Sequence, residues 1–243
     1  MQEQLLQNRS LQFVNWGLVP YSEKMQTDLV DAIASGEEPQ TIVFCMHPPI
    51  VTLGRKADRT ADITGWDGEV VEVRRGGRAT YHGPSQLVVY PLIDLRQPQK
   101  NFGVHDVIGL IRYLENAVVE LLAHYGLVGV PGHKKSGDSL ALGKPDSNSN
   151  EKHELMTGVW VNNKKICSLG IAVSKWISFH GIALNVEPDS KAFKGINPCG
   201  FSSDTMTDLI SEIKKIDPDV ILQPQELRAA ILQQLKSGFL NSF

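Results

Sequence analysis

The chain has 243 residues, 42% of them hydrophobic and 21% charged, with a formal net charge of −3. That length and apolar share suit one large domain with its own core, and the charge supplies no basic field for a nucleic acid. No run of about 18 apolar residues is there to span a bilayer, Met1 to Ser10 lacks an apolar signal core, and the three cysteines lack paired spacing, so free thiols in a reducing, cytoplasmic setting are expected.

Leu11 to Leu18 reads as a strand. Tyr21 to Ser35 reads as a helix capped by Ser22, with Met25, Leu29 and Ile33 on one face and Gly36 as its stop. Thr41 to Met46 is an apolar run of strand length, ended by His47-Pro48-Pro49, since successive prolines cannot feed a ladder. Val51 to Leu53 leads into Gly54-Arg55 and a polar loop reaching Asp67-Gly68, and Glu69 to Val73 is β-rich.

Arg74 to Pro91 organises the chain. Gly76, Gly77, Gly83 and Pro84 are interleaved there with Arg75, Arg78, Thr80, Tyr81 and His82. Glycines let a backbone approach a ligand closely, and arginines supply fixed forks of donors. The alternative is a polar hairpin loop. Against it, the connection is too long for a tight turn, and it gathers Arg, Tyr and His on one mobile segment, where sites tend to lie.

Leu87 to Leu95 is a further strand. Val104 to Tyr125 reads as the clearest helix, with a stripe of Val104, Val107, Ile108, Ile111, Leu114, Val118, Leu121, Leu122 and Tyr125 ended by Gly126. Gly132 to Glu154 is polar and aperiodic and reads as a solvated loop. Gly158 to Val161 and Lys165 to Val173 form a hairpin about Asn162-Asn163, and Ile177 to Val186 extends the meander. Thr205 to Ile216 is a helix with Leu209, Ile210 and Ile213 inward. Pro224 opens a last helix with Leu227, Ile231 and Leu235 on its face. Antiparallel strands with grouped helices make the class α+β.

A thiol becomes a useful nucleophile when a cation or backbone donors stabilise its thiolate. Cys45, inside Ile-Val-Phe-Cys-Met, reads as a small core hydrophobe. Cys199 follows Pro198, which fixes the backbone, and precedes Gly200, which leaves space. These residues alone leave its reactivity open. Lys165, read alone, is a solvated surface charge. In a regular strand Lys165 and Cys167 share a face, so Cys167 is a rival nucleophile unless a bulge intervenes. His82 and His180 would orient water or a thiol, or serve as hydrogen-bonded structural groups.

Four segments in order resemble the octanoyl (lipoyl) transferases: Arg74 to Pro91, His47 to Arg55, Lys165 to Gly170, and Ser178 to Asn185 followed by Ile196 to Gly200. The resemblance implies a single domain with the fold of the biotin and lipoate protein ligases, a central mixed, largely antiparallel sheet with packed helices. It makes residues 133–156 an insertion. It implies transfer of an octanoyl group from octanoyl-acyl carrier protein, through a cysteine thioester, to a lysine of lipoyl domains. Those domains belong to 2-oxoacid dehydrogenase acyltransferase subunits and the glycine cleavage H protein. No cofactor, nucleic acid or membrane is implied. Cys199 matches the family's thioester cysteine, and Lys165 its catalytic lysine, whose ammonium would stabilise the thiolate or exchange a proton with it.

The family's acyl-binding stretches match Arg75, Gly76, Gly77, Arg78, Ala79, Thr80, Tyr81 and His82, then Ser168, Leu169 and Gly170, then Gly181, Ile182 and Ala183. The small residues Gly76, Gly77, Gly181 and Ala183 would leave a slot for an alkyl chain, and backbone N–H groups near Ser168 to Gly170 or Gly181 would meet an oxyanion. One departure stands out: the family's His-Gly-Pro-Gly-Gln has Ser85 here, a strain of about 1 kcal/mol if the backbone there is left-handed. Two other readings remain, an ATP-dependent lipoate or biotin protein ligase on the same scaffold and a non-catalytic acyl-carrier-binding protein. A thioesterase would want a Gly-x-Ser-x-Gly elbow, which is absent.

Overall fold

The computed structural model describes residues 11–132 and 157–240, so the expected insertion at 133–156 lies outside the described residues. Among them, seven strands form the main sheet. In spatial order these are β1 (Leu11–Leu18), β2 (Gln40–Met46), β6 (Gln86–Leu92), β10 (Ile177–Asn185), β9 (Lys164–Ser174), β8 (Gly158–Val161) and β7 (Val130–Pro131). β1 and β2 are parallel, and all other neighbours are antiparallel. A small sheet has the order β4 (Val70–Glu72), β3 (Ile50–Leu53), β5 (Ala79–His82). The mixed, largely antiparallel sheet with packed helices is thus as expected.

The central strands are apolar throughout because both sheet faces are covered. On β2, Ile42 and Phe44 join one core, and Val43 and Cys45 the other. The helix α1 (Glu23–Ser35) covers the second face with Val30 and Ile33. Ser22 caps it and Gly36 ends it at φ 83°, but Met25 is exposed and the buried Gln26 takes its expected place. The first face is covered by α3 (Val107–His124), α4 (Leu209–Ile216) and α5 (Pro224–Leu240). Asp106 starts α3 by accepting the Gly109 N–H at 2.7 Å, so Val104 precedes the helix; Val104 and Ile108, both expected in the apolar stripe, are exposed instead. α4 starts at Leu209 because Asp208 caps it, later than the sequence suggests.

The Arg74–Pro91 stretch is not one mobile connection. Residues 79–82 form β5, buried throughout and paired with β3, with short turns on either side. A four-residue helix, α2 (Arg59–Asp62), lies in the loop after β3. Ser85 is unstrained: its φ is not positive, and its hydroxyl donates to Asp189 at 3.1 Å.

Three buried histidines stand where the two sheets meet. His47 follows β2, His82 lies on β5 and His180 on β10. His47 Nε2 is 2.7 Å from the Tyr90 hydroxyl, its ring is 5.9 Å from that of His82, and His82 Nδ1 is 3.3 Å from Gln86 Oε1. Burial pushes all three imidazoles below their ordinary range, His82 furthest. Unfolded, each takes a proton near pH ~6.5. The unfolded state therefore binds more protons as pH falls. Stability is full above that value and drops below it, by up to about 1.4 kcal/mol per pH unit per histidine until the folded group titrates. Urea unfolding at about pH 7.5 and about pH 5.5 checks this: the midpoint falls at the lower pH, and His82→Gln reduces the fall.

Candidate active site

The site begins with an irregularity in β9. Trp160 of β8 pairs with Lys165 and Val159 with Cys167, which leaves Ile166 as an extra residue. This bulge breaks strict alternation. Ile166 and Cys167 both enter the core under α3, whereas Lys165 and Ser168 line a cavity on the opposite face. The rivalry between the cysteines ends there. Burial pushes the Cys167 thiol up to about 12 and raises that of Cys45 as well.

Lys165 is 1% exposed. Its Nζ lies 3.4 Å from Cys199 Sγ and 5.6 Å from the centre of the Trp160 ring. Gly158 makes room for it. At φ 125°, a Cβ there would sit 2.3 Å from the Cys167 carbonyl oxygen and 2.8 Å from Lys165 Cε. Sequence reading passed over Gly158, since nothing in the residue itself signals a neighbour's stem.

Cys199 sits in a single 3-10 turn, Pro198–Gly200, with φ 55° and ψ 24°. A left-handed non-glycine costs of order 1 kcal/mol and persists only where its surroundings hold it. Here the Gly200 N–H donates to the Asn197 carbonyl at 3.0 Å, and Asn197 donates its own N–H to the Asp62 carbonyl at 2.8 Å.

The cavity encloses about 140 Å³ between the main sheet and the Arg75–His82 stretch. Of the residues expected to bind substrate, Arg75, Gly76, Gly77, Arg78, Thr80 and His82 line it from one side. Ser168, Leu169 and Gly170 of β9 and Gly181, Ile182 and Ala183 of β10 line it from the other. Ala79 and Tyr81 do not. Alternation on β5 turns them into the small core with Val51, Leu53, Phe193 and Ile196. His180, one of the two histidines singled out in the sequence, completes the wall with Val88, Tyr90, Lys56 and Thr157; the sequence reading did not pick out Lys56 and Thr157, which are far from the other lining residues along the chain.

Two expected roles change on geometry. The Arg75 fork is spent on the protein: it donates to the carbonyls of Gly76, Arg78 and Thr52 and to the Thr52 hydroxyl, at 2.7–3.0 Å. It braces the loop, and Gly54 is bare because a Cβ would lie 2.7 Å from Arg75 Nη1. Gly181 is small for the sake of the sheet, since a Cβ there would lie 2.0 Å from the Val89 carbonyl oxygen.

This arrangement provides a thiol held against an ammonium, at a cavity with both apolar and polar walls. Known proteins resemble the chain in sequence and in fold. The lipoyl protein ligase A/B catalytic domain matches residues 20–236. The octanoyltransferase of Bdellovibrio bacteriovorus is 42% identical, covering 92% of this chain and 98% of that one. That of Rubrobacter xylanophilus is 36% identical, covering 92% and 89%. A T. acidophilum protein assigned as a lipoate protein ligase, with lipoic acid bound, superposes with a TM-score of 0.60 at 17% identity over 96% of this chain and 86% of its own. Lipoate-protein ligase A bound with ATP does so at 0.58 and 18%, over 96% and 85%. At such identities the structural likeness is one of fold, while the sequence relatives fix the kinship: the chain belongs to the lipoyl protein ligase A/B catalytic domain family and, within it, to the octanoyltransferases, which are acyltransferase enzymes.

Proposed function

We propose that this chain is a single-domain cytoplasmic enzyme that moves an octanoyl group from octanoyl-acyl carrier protein to a lysine of lipoyl domains, with Cys199 carrying the acyl group between them. The acceptors would be the lipoyl domains of 2-oxoacid dehydrogenase complexes and the glycine cleavage H protein. The observation that carries the reading is the 3.4 Å contact between Lys165 Nζ and Cys199 Sγ beside the cavity.

An ammonium at hydrogen-bond distance, shielded from bulk water, favours the thiolate. The thiolate attacks the thioester carbonyl of the carrier. As the tetrahedral adduct collapses, the carrier's thiol arm leaves and takes a proton from Lys165. This leaves an octanoyl-S-Cys199 bond and a neutral lysine. The acceptor's ε-amine then attacks that thioester and gives its surplus proton to Lys165. Cys199 departs as a thiolate, and an amide has formed. Both the proton and the thiolate return to their starting places. The first step exchanges one thioester for another, and the second runs downhill to an amide, so no ATP enters.

Mixing the protein with octanoyl-carrier protein alone, then mapping peptides by mass spectrometry, should place the octanoyl adduct on Cys199 and none on Cys199→Ala. An adduct on Cys167, or a requirement for ATP as in a ligase, contradicts the reading. Lys165→Ala should slow transfer by about 10²–10⁴-fold, the usual worth of a positioned acid–base group. Single-turnover assays with near-normal rates would remove Lys165 from the chemistry.

A further inference from the structure

The Cys199 turn is neither a strand nor a long helix, yet its sulfur is set against a lysine from a distant strand. Asp62, at the end of α2, is wholly buried. Its carboxylate accepts Arg78 Nε at 3.0 Å and Nη2 at 2.8 Å, and the Asp58 N–H at 3.0 Å. Its carbonyl accepts the Asn197 N–H at 2.8 Å, and the neighbouring Ala61 carbonyl accepts Asn197 Nδ2 at 2.8 Å. Arg78 continues to the other side of the turn, where a Cβ on Gly200 would lie 3.4 Å from Arg78 Cδ. Asp62 thereby holds Asn197, two residues before the nucleophile, through its backbone, and places the Arg78 side chain beside Gly200, the residue after it. The loop after Asp62 reinforces the grip: the N–H groups of Thr64, Gly65 and Trp66 all donate to the Gly195 carbonyl at 2.9–3.0 Å.

We infer that the Asp62–Arg78 ion pair is a positioning clamp that holds the left-handed Cys199 turn and thereby sets the sulfur against Lys165. Arg78 lines the cavity, but its charge is committed to Asp62. The pair acts through Cys199, and the inference rests on the reading of Cys199 as the nucleophile. Without the clamp the turn relaxes, the sulfur moves off the ammonium, and the thiolate loses its counter-charge.

The test compares the full chain with Asp62→Asn, Arg78→Gln and the double variant. Cys199 alkylation by iodoacetamide is followed at about pH 7 and about pH 10. Each single variant should alkylate about tenfold or more slowly at the lower pH, the worth of one unit of lost thiolate stabilisation. All should match the parent at the higher pH, where the thiol ionises unaided. The two effects should not multiply in the double variant, because one device has been removed twice. KM for octanoyl-carrier protein should stay within about twofold while kcat falls. A parental rate at about pH 7, multiplying effects, or a rise in KM alone overturns the clamp. A single variant that fails to fold is one whose buried charge is left unpaired. The double leaves none, and then decides alone: slow at about pH 7 and parental at about pH 10 supports the clamp, and any other profile overturns it. If the parent forms no Cys199 adduct from octanoyl-carrier protein, the transferase reading has failed, and the alkylation profiles still judge the clamp.

Discussion

A lysine ammonium with 1% exposure is costly unless something takes its charge. No carboxylate hydrogen-bonds to it among the described residues; a cysteine sulfur and an indole face do the work instead. That choice shapes the surroundings. The bulge at Ile166 turns Lys165 toward the cavity, and Gly158 clears its stem. The left-handed turn at Cys199 lifts the sulfur to meet it. Each feature spends stability, in ladder pairing, in glycine entropy or in backbone strain. All of them converge on the one contact between Lys165 and Cys199.

The second constraint is the junction of the two sheets. Arg75 is buried as a cation with only neutral acceptors around its fork, and it ties the loop after β4 to β3. The Gly76 N–H donates to the Ile171 carbonyl at 3.2 Å, which joins that loop to β9. The cavity is therefore framed by main-chain contacts of both sheets. Neutral histidines complete the junction. His180, itself at φ 56°, lies 3.4 Å from Glu23 of α1, which also pairs with Arg74. The cavity wall on this side is thus a seam of fixed polar groups.

Much of this was legible in the sequence because it is local. Ser22 and Gly36 bracket α1 as side-chain cap and left-handed stop. Asn162 and Asn163 adopt φ of 48° and 64° in the hairpin turn, as their tolerance of that region allows. Leu227, Ile231 and Leu235 are buried at helical spacing. The misreadings share a cause in tertiary context. Met25 fits the apolar rhythm of its helix yet faces out, and Gln26 is buried because its side chain accepts the His180 N–H at 2.8 Å. β5, within Arg74–Pro91, is only four residues long, too short for its alternation to stand out in the sequence without β3 as its partner. Asp62 stands in a loop that reads as polar surface, and its role emerges only where Arg78 and Asn197 meet it.

The central claim is that one sulfur carries the acyl group between two proteins. Isolating the octanoyl form of the full chain and presenting it with a lipoyl domain in a rapid-quench experiment tests this most directly. The account predicts that the octanoyl group leaves Cys199 and appears on the domain lysine, without ATP, at least as fast as steady-state turnover. Transfer slower than turnover, or release of free octanoate in its place, would contradict it.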